Sequence, residues 1–349
     1  MIKLLRVSGT HYSCGQQIGV ACADTLRDWI TETQAHLPDG LRWDDYRNAA
    51  RPYLTATERA FPWLVEELRG GAEGANIDFL DLFTISIEEL FGGSPEPVKP
   101  ELEKASRCSD FAACAPATDG HVLLAHNNDL HPASQDKLVA VDWDLPDHPR
   151  LFTIGVGGIF LSIGVNAAKL ALTGNELSPN DERPGIPRLL IARALLSART
   201  FDEAVNIALH PDRASSYNNL ISTGDGQIAS VEASATDHEL ILPEDGWHVH
   251  TNHYTHPRMK QYEKYPDKTE KSVSRYDRAR ELLRSRPGGP VTLPLLKTFL
   301  ADHNSTPATL CRHDANVKTV FSALIDLTEG TMEATVGNPC VGEFERVWG

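Results

Sequence analysis

The chain has 349 residues, of which 41% are hydrophobic and 23% are charged, and its formal net charge is −15. This composition is ordinary for a globular protein and leaves room for one large layered domain. Nucleic acid and anionic membranes are excluded as expected partners, because both require clustered Lys and Arg. No apolar run reaches the ~20 residues of a membrane span, and residues 1–6 lack a signal-peptide core, so we expect a cytoplasmic protein.

The first 95 residues are predicted to be mainly helical. Apolar residues recur at helical spacing over 16–36, 43–50 and 55–70. The segment 94–101 is rich in Pro and charge, which predicts an exposed linker.

Beyond the linker the sequence changes to short segments rich in β-forming residues. Strands are predicted at 138–143, 151–156, 159–166, 169–173, 219–222, 228–232, 321–326 and 332–336, and helices at 187–197, 201–209 and 274–284. Runs of strands with helices between them are typical of a layered domain of mixed class.

A cysteine stands at the beginning of a predicted hairpin between these two regions. Cys108 begins a strand, Asp119-Gly120 supplies a turn signal, and the second strand ends in the polar run 127–129. This is an unusual place for a core thiol, and it suits a nucleophile that becomes a new N-terminus when the chain cuts itself. None of the six cysteines has CxxC spacing, so we predict reduced thiols and no metal site.

The hairpin resembles the nucleophile region of the isopenicillin-N acyltransferase family of N-terminal-nucleophile hydrolases, which is related to the choloylglycine hydrolases. Similarity to the family continues at residues 9–12, 15–19, 164–166, 170–175, 249–254 and 272–276. The resemblance implies an α+β fold, a four-layer αββα sandwich. It also implies a mainly helical segment over residues 1–107, serving as propeptide or α-chain, and a β-chain over residues 108–349 with the catalytic cysteine first.

The chemistry expected of Cys108 begins with self-cleavage. Attack of its thiol on the carbonyl carbon of Arg107 would give a thioester that water resolves into two chains. The freed α-amine, with a pKa of about 7.7–8.0, would then serve as the base for the thiol of its own residue. No separate histidine is required for this chemistry.

The resemblance also implies partners for the nucleophile. Asn175 and Asn252 are predicted to donate to the oxyanion, Asp129 to orient the new amine, and Arg275 to lie beside the thiol. Arg312 is the alternative for the role of Arg275. His250 and His253 are predicted to support the site through hydrogen bonds.

Three departures from the family pattern bear on the expected chemistry. Arg107 and Lys169 stand where family members carry glycine, and Asn128 replaces an aromatic residue. Since Arg107 and Asn128 lie near the expected pocket, we predict a substrate preference different from penicillin acylation.

The leading hypothesis is therefore hydrolysis, or acyl transfer, of a small N-acyl or aminoacyl amide without a cofactor. An acyl-CoA-dependent N-acyltransferase, with acyl-CoA as co-substrate, is one alternative. A metal-dependent amidohydrolase using His248, His250 and His253 is a second, and an unprocessed ligand-binding member is a third. The expected partners are the small amide substrate, the chain's own N-terminal fragment and, in a homo-oligomer, further copies of the chain.

Overall fold

A computed structural model describes residues 2–91, 108–286 and 288–349, so Arg107 and the predicted linker over 94–101 lie outside the described residues. The α-helices are α1 (His11–Ala21), α2 (Ala23–Ala35), α3 (Trp43–Ala60), α4 (Pro62–Ala75), α5 (Phe79–Ile85), α6 (Arg188–Leu195), α7 (Phe201–Ala208), α8 (Glu270–Arg284) and α9 (Leu293–Leu300). No helix in these ranges is both long and apolar enough to cross a bilayer.

The strands of the described ranges form two sheets. They are β1 (Lys3–Ser8), β2 (Cys108–Ala113), β3 (Leu123–Leu130), β4 (Leu138–Asp144), β5 (Leu151–Val156), β6 (Phe160–Asn166), β7 (Leu170–Asn175), β8 (Asn218–Thr223), β9 (Ile228–Ala233), β10 (His238–Ile241), β11 (Trp247–His250), β12 (Lys318–Asp326), β13 (Thr331–Val336) and β14 (Glu345–Trp348). The larger sheet has the order β1-β4-β5-β6-β7-β8-β9-β10, and the smaller has the order β11-β2-β3-β12-β13-β14. Neighbouring strands are antiparallel except β1 and β4, which are parallel.

Helices cover the outer face of each sheet. On the smaller sheet, Phe111 of β2 packs against Phe299 of α9, with ring centroids 5.8 Å apart. On the larger sheet, Leu172 of β7 lies in one apolar cluster with Leu195 of α6 and Ala204 of α7. The two sheets face each other between these helical layers, which confirms the predicted αββα sandwich.

The N-terminal segment differs from its prediction in detail. Residues 16–36 form two helices that meet at Cys22, and α3 continues through Pro52, where a break was expected. Pro52 cannot donate a backbone hydrogen bond. The helix tolerates this loss because its buried face, which includes Tyr53 and Ala56, stabilises it through packing. β1 was missed because a single short strand at a sheet edge has little periodicity to detect.

Glycines allow α1 and α4 to cross at backbone contact distance. A Cβ added to Gly15 would lie 1.9 Å from the carbonyl oxygen of Glu67, and one added to Gly70 would lie 1.9 Å from that of Tyr12. Because the obstructing atoms are backbone atoms, no rotamer change could relieve the clash. The glycine-rich start of the sequence is therefore a helix-packing device.

Gly15→Ala is expected to lower the free energy of unfolding by about 1–3 kcal/mol or more, because it forces α1 away from α4. Gly288→Ala is the matched control, since a Cβ there meets no atom within 4 Å, and it should change stability by less than about 0.5 kcal/mol. Urea denaturation of the two variants measures the difference, and equal midpoints would contradict the packing role.

Lys169 has a left-handed backbone conformation, which explains why the family pattern has glycine at this position. It lies in the turn between β6 and β7 with φ +58°, in the left-handed region that glycine enters at least cost. Its ammonium donates to the carbonyl oxygen of Thr328 at 2.6 Å. The replacement of glycine by Lys169 therefore lies in a turn, and the lysine side chain gains a contact with Thr328 there.

Candidate active site

The hairpin of β2 and β3 places Cys108 between the two sheets. Cys108 pairs in register with Asn128, whose Nδ2 lies 3.8 Å from the Cys108 Sγ. Side chains alternate along a strand, so Phe111 points to the outer helices while Cys108 points inwards. There Cys108 lines a cavity together with residues of β7 from the facing sheet.

The backbone of Cys108 is held by two of the predicted site residues. Its nitrogen donates to Asn252 Oδ1 at 2.9 Å, and its carbonyl oxygen accepts from Arg275 Nη1 at 2.5 Å. Arg275 Nη2 also donates to Asn252 Oδ1 at 3.0 Å, which joins the two side chains. Asn252 uses its Nδ2 to donate to the carbonyl oxygen of Glu176 at 3.1 Å. Asn252 is therefore placed to hold the Cys108 nitrogen, and one of its two amide N–H groups is used by Glu176. Its donation to an oxyanion stays a prediction.

Asn175 lies at the end of β7, and of its side-chain amide only the oxygen has hydrogen-bond partners among the described residues. Its Oδ1 accepts from Asn218 Nδ2 at 3.1 Å and faces His250 Nδ1 at 2.9 Å. Its buried Nδ2 has no hydrogen-bond partner within the described residues. Because Asn175 lines the same cavity as Cys108, this donor is available to a group bound there.

Two histidines, His250 and His253, lie next to the two asparagines. His250 Nε2 lies 2.8 Å from Glu232 Oε1. Burial would raise the pKa of Glu232, but its hydrogen bonds from His250 and Thr255 outweigh burial and bring the pKa to about 2. His253 Nδ1 lies 2.8 Å from the Ser272 hydroxyl, which accepts from the Asn252 backbone N–H at 2.7 Å. His250 thus contacts the Asn175 amide itself. His253 contacts the Ser272 hydroxyl, which holds the backbone of Asn252.

Asp129 lies on the other face of β3 from the thiol, because it alternates with Asn128. Its Oδ1 accepts from the Thr319 hydroxyl at 2.7 Å, and its Oδ2 is 4.0 Å from Arg275 Nη1. Burial raises the pKa of Asp129 to about 6 against the opposing effect of Arg275 and Arg312. In the structure Asp129 lies beside the guanidinium of Arg275, and its role in orienting the new amine stays a prediction.

The Cys108 thiol is protonated near neutral pH in this environment. Burial raises the pKa of Cys108 well above 9.0, and the carboxylates of Asp110 and Asp129 raise it further against the opposing charge of Arg275. Burial lowers the pKa of Arg275 to about 10, so the guanidinium is still charged at neutral pH. A base close to the sulfur is therefore needed to generate the thiolate.

The cavity beside Cys108 has a volume of about 100 Å³ and two kinds of wall. The apolar wall consists of Trp29, Leu130, Val156, Phe160, Leu161, Leu172, Leu189 and Ala192. Two carboxylates, Glu88 and Glu176, and the Tyr217 ring form a polar wall. Such a combination suits a small, partly apolar molecule with a polar end.

One arginine organises the polar wall. Arg188 Nε donates to Glu88 Oε2 at 2.6 Å, and Arg188 Nη2 donates to Glu176 Oε1 at 3.2 Å. The Tyr217 hydroxyl also donates to Glu88 Oε2 at 2.6 Å. This wall was not identified from the sequence, because its members come from four separate segments with no common motif.

The remaining candidates from the sequence are the histidine group and Arg312. Both ring nitrogens of His250 face protein acceptors, which leaves none for a metal, and His253 Nδ1 lies 2.8 Å from the Ser272 hydroxyl. The histidine group of the metal-dependent alternative is therefore not arranged as a ligand set. Arg312 pairs with Asp314, Nε to Oδ2 at 2.8 Å, and Arg275 alone of the two arginines contacts Cys108.

The chain is similar to several known proteins. A family model, acyl-coenzyme A:6-aminopenicillanic acid acyl-transferase, matches residues 117–340. The acyl-coenzyme A:6-aminopenicillanic-acid-acyltransferase 40 kDa form of Emericella nidulans is 23% identical over 303 residues, which cover 81% of this chain and 77% of that protein. The beta-alanyl-dopamine/carcinine hydrolase of Drosophila melanogaster is 23% identical over 225 residues, which cover 59% of this chain and 57% of that protein. A solved structure, the Caenorhabditis elegans ortholog of N-acylethanolamine-hydrolyzing acid amidase, aligns with a TM-score of 0.46 and 12% identity over 63% of this chain and 93% of that one.

The family match and the curated relatives define an enzyme of the acyltransferase or amidohydrolase class. The matching model spans well over half of the sequence. The chain therefore belongs to the acyl-coenzyme A:6-aminopenicillanic acid acyl-transferase family. The match begins after Cys108, so the strand that carries this cysteine lies outside it.

Proposed function

We propose that the chain is a self-processing amidohydrolase that cleaves a small N-acyl or aminoacyl amide through a thioester on Cys108. The observation that carries this proposal is the cavity shared by the Cys108 thiol and Asn175 Nδ2, which has no partner in the part of the chain that the structure describes. A nucleophile and an oxyanion donor at one cavity are the minimum that acyl transfer requires.

Self-cleavage is the first proposed step. The Cys108 sulfur attacks the carbonyl carbon of Arg107, the C–N bond breaks, and the nitrogen takes up the proton that the thiol loses. Water then hydrolyses the thioester and releases a chain that begins at Cys108. Asn252 and Arg275 hold the backbone atoms of Cys108 on either side of its Cα during this exchange.

The new α-amine is the proposed base for turnover. It takes the thiol proton, and the sulfur attacks the carbonyl carbon of the substrate amide. Asn175 Nδ2 donates to the oxyanion, and the ammonium of Cys108 protonates the leaving amine. Water attacks the resulting thioester, returns the thiol and releases the acid. Because Asn252 Oδ1 accepts from the Cys108 nitrogen, it orients the lone pair of the amine.

The charge of the cavity favours hydrolysis over acyl-CoA-dependent transfer. Glu88 and Glu176 lie in its wall, and Arg188 pairs with both. Carboxylates repel the phosphates of a CoA thioester and attract an ammonium group, as an aminoacyl amide would present. A β-alanyl or related aminoacyl amide is therefore the substrate class that we propose first, and the hydrolase relative in Drosophila carries a β-alanyl compound in its name.

A panel of amides tests this proposal. The enzyme is incubated with β-alanyl, phenylacetyl and fatty-acyl amides in ¹⁸O-labelled water, and released amine and labelled acid are measured by mass spectrometry. Hydrolysis of the aminoacyl amides, reduced at least about tenfold in kcat/KM by Glu176→Gln, is expected. Glu239→Gln, which changes a carboxylate of β10 outside the cavity, is the matched control. Turnover only with acyl-CoA and a free amine, without labelled acid, would contradict hydrolysis.

A further inference from the structure

Four metal-ligand side chains converge far from Cys108 in the sequence. They are His303, Cys311, His313 and Cys340, and their ligand atoms all lie within 4.8 Å of one another. His313 Nε2 is 3.2 Å from His303 Nε2, 3.4 Å from Cys311 Sγ and 3.4 Å from Cys340 Sγ. Both cysteines are free thiols.

Hydrogen bonds do not account for this arrangement. The Nε2 of a neutral imidazole carries either one proton or one lone pair, so it makes one ordinary hydrogen bond. His313 Nε2 nevertheless has three close polar neighbours. A cation bound jointly by all four atoms would satisfy each of them at once.

The distances around His313 Nε2 are close to those of a tetrahedral zinc site. With Zn–N bonds of about 2.0–2.1 Å and Zn–S bonds of about 2.3 Å, neighbouring ligand atoms lie roughly 3.3–3.8 Å apart. The contacts around His313 Nε2, at 3.2–3.4 Å, lie at or just below the short end of this range. We propose that His303, Cys311, His313 and Cys340 bind a structural zinc ion, with two thiolates and two imidazoles as ligands.

Neighbouring groups support a thiolate at Cys311. Asn338 Nδ2 donates to the Cys311 sulfur at 3.4 Å and to the Arg312 carbonyl oxygen at 2.5 Å. Donors of this kind orient ligands and stabilise the charge of a metal-bound sulfur. With four protein ligands, the ion would have no open position for substrate, which is the pattern of structural sites.

The proposed ion would join two connections that support the site around Cys108. Three ligands lie between α9 and β12, and Cys340 lies between β13 and β14. The carbonyl oxygen of Leu310 in the first connection accepts from Asn127 Nδ2 of β3 at 2.9 Å. The backbone N–H of Arg312 donates to the Thr319 hydroxyl, which in turn donates to Asp129. Zinc would thus stiffen the loop that packs behind β3.

Metal analysis of the purified full chain tests this proposal independently of any activity. Mass-spectrometric metal analysis after desalting is expected to find about one zinc per chain. Cobalt exchanged into the protein should show the absorption of a tetrahedral, thiolate-ligated ion. Cys340→Ser and His303→Ala should each lower zinc content or affinity at least about tenfold. Removing zinc with a chelator should lower the melting temperature of the wild type.

Cys22→Ser and His36→Ala are the matched controls, and both should retain the wild-type zinc content. Less than about one tenth of an equivalent in wild-type protein reconstituted with excess zinc would overturn the proposal. A Cys311–Cys340 disulfide in protein kept under reducing conditions would also overturn it, as would full zinc content in both ligand variants. The wild-type stoichiometry decides the question even if a ligand variant fails to fold.

Discussion

Cys108→Ala is expected to yield a single uncut chain and to abolish amide hydrolysis. The substitution removes the sulfur that would attack both the Arg107 carbonyl and the substrate, while alanine still fits the buried position on β2. Wild-type protein should appear in intact-mass spectrometry as fragments 1–107 and 108–349. Because the thioester is proposed for both steps, processing and turnover should be lost together.

Cys114→Ala is the matched control for this experiment. Cys114 is also buried and immediately follows the same strand, but it does not line the cavity. It should be processed and should hydrolyse amides like the wild type. Turnover that survives in Cys108→Ala would contradict the proposed nucleophile. An uncut wild-type chain that binds amides without turnover would instead support a ligand-binding member of the family.

Asn175→Ala is expected to reduce kcat by about 10²–10³-fold with a smaller change in KM, the effect of removing one oxyanion donor. The reason is the orientation of the amide group. Asn218 and His250 hold its oxygen, which leaves Nδ2 for the charge that develops on the substrate carbonyl. Steady-state kinetics of the processed variant, with its β-chain confirmed by mass, measures the effect.

Thr173→Val is the comparison variant, because Thr173 lines the same cavity as Asn175. Thr173 is two residues away on β7, and its hydroxyl is also buried without a partner within the described residues. Its loss should change kcat less than about tenfold, because a freely rotating hydroxyl is not fixed in direction, whereas Asn218 and His250 fix the Asn175 amide. Equal losses in Thr173→Val and Asn175→Ala would contradict a specific role for the Asn175 amide.

The strands around the site were predicted well because local rules determine them. Residues 151–156 match β5, and 321–326 and 332–336 fall within β12 and β13. Alternating apolar residues and turn signals such as Asp119-Gly120 act over a few residues, and the two-sheet context reinforces them. The N-terminal helices were placed less well, because their ends depend on tertiary contacts, such as the crossing at Gly15 and Gly70.

Site residues illustrate the limit of the same reasoning. Asn175 and Asn252 look alike in the sequence, yet the partners of their amide oxygens and nitrogens differ. Asn128 stood out only as a departure from the family, and it faces the thiol. The proposed zinc ligands were missed because CxxC spacing was the signal sought, and these ligands come from two connections without it.

The sequence by itself determined the layered α+β class, the hairpin and the presence of a cysteine at its start, because strand periodicity and turn chemistry are local properties. Only the tertiary structure decided which donor is unpartnered, which face of β3 carries Asp129, and which carboxylates surround the cavity. Those features depend on distances between segments far apart in the sequence, such as Arg275 and Cys108, which are 167 residues apart. Hydrogen-bond partners and burial are set by packing, and no spacing in the sequence encodes them directly.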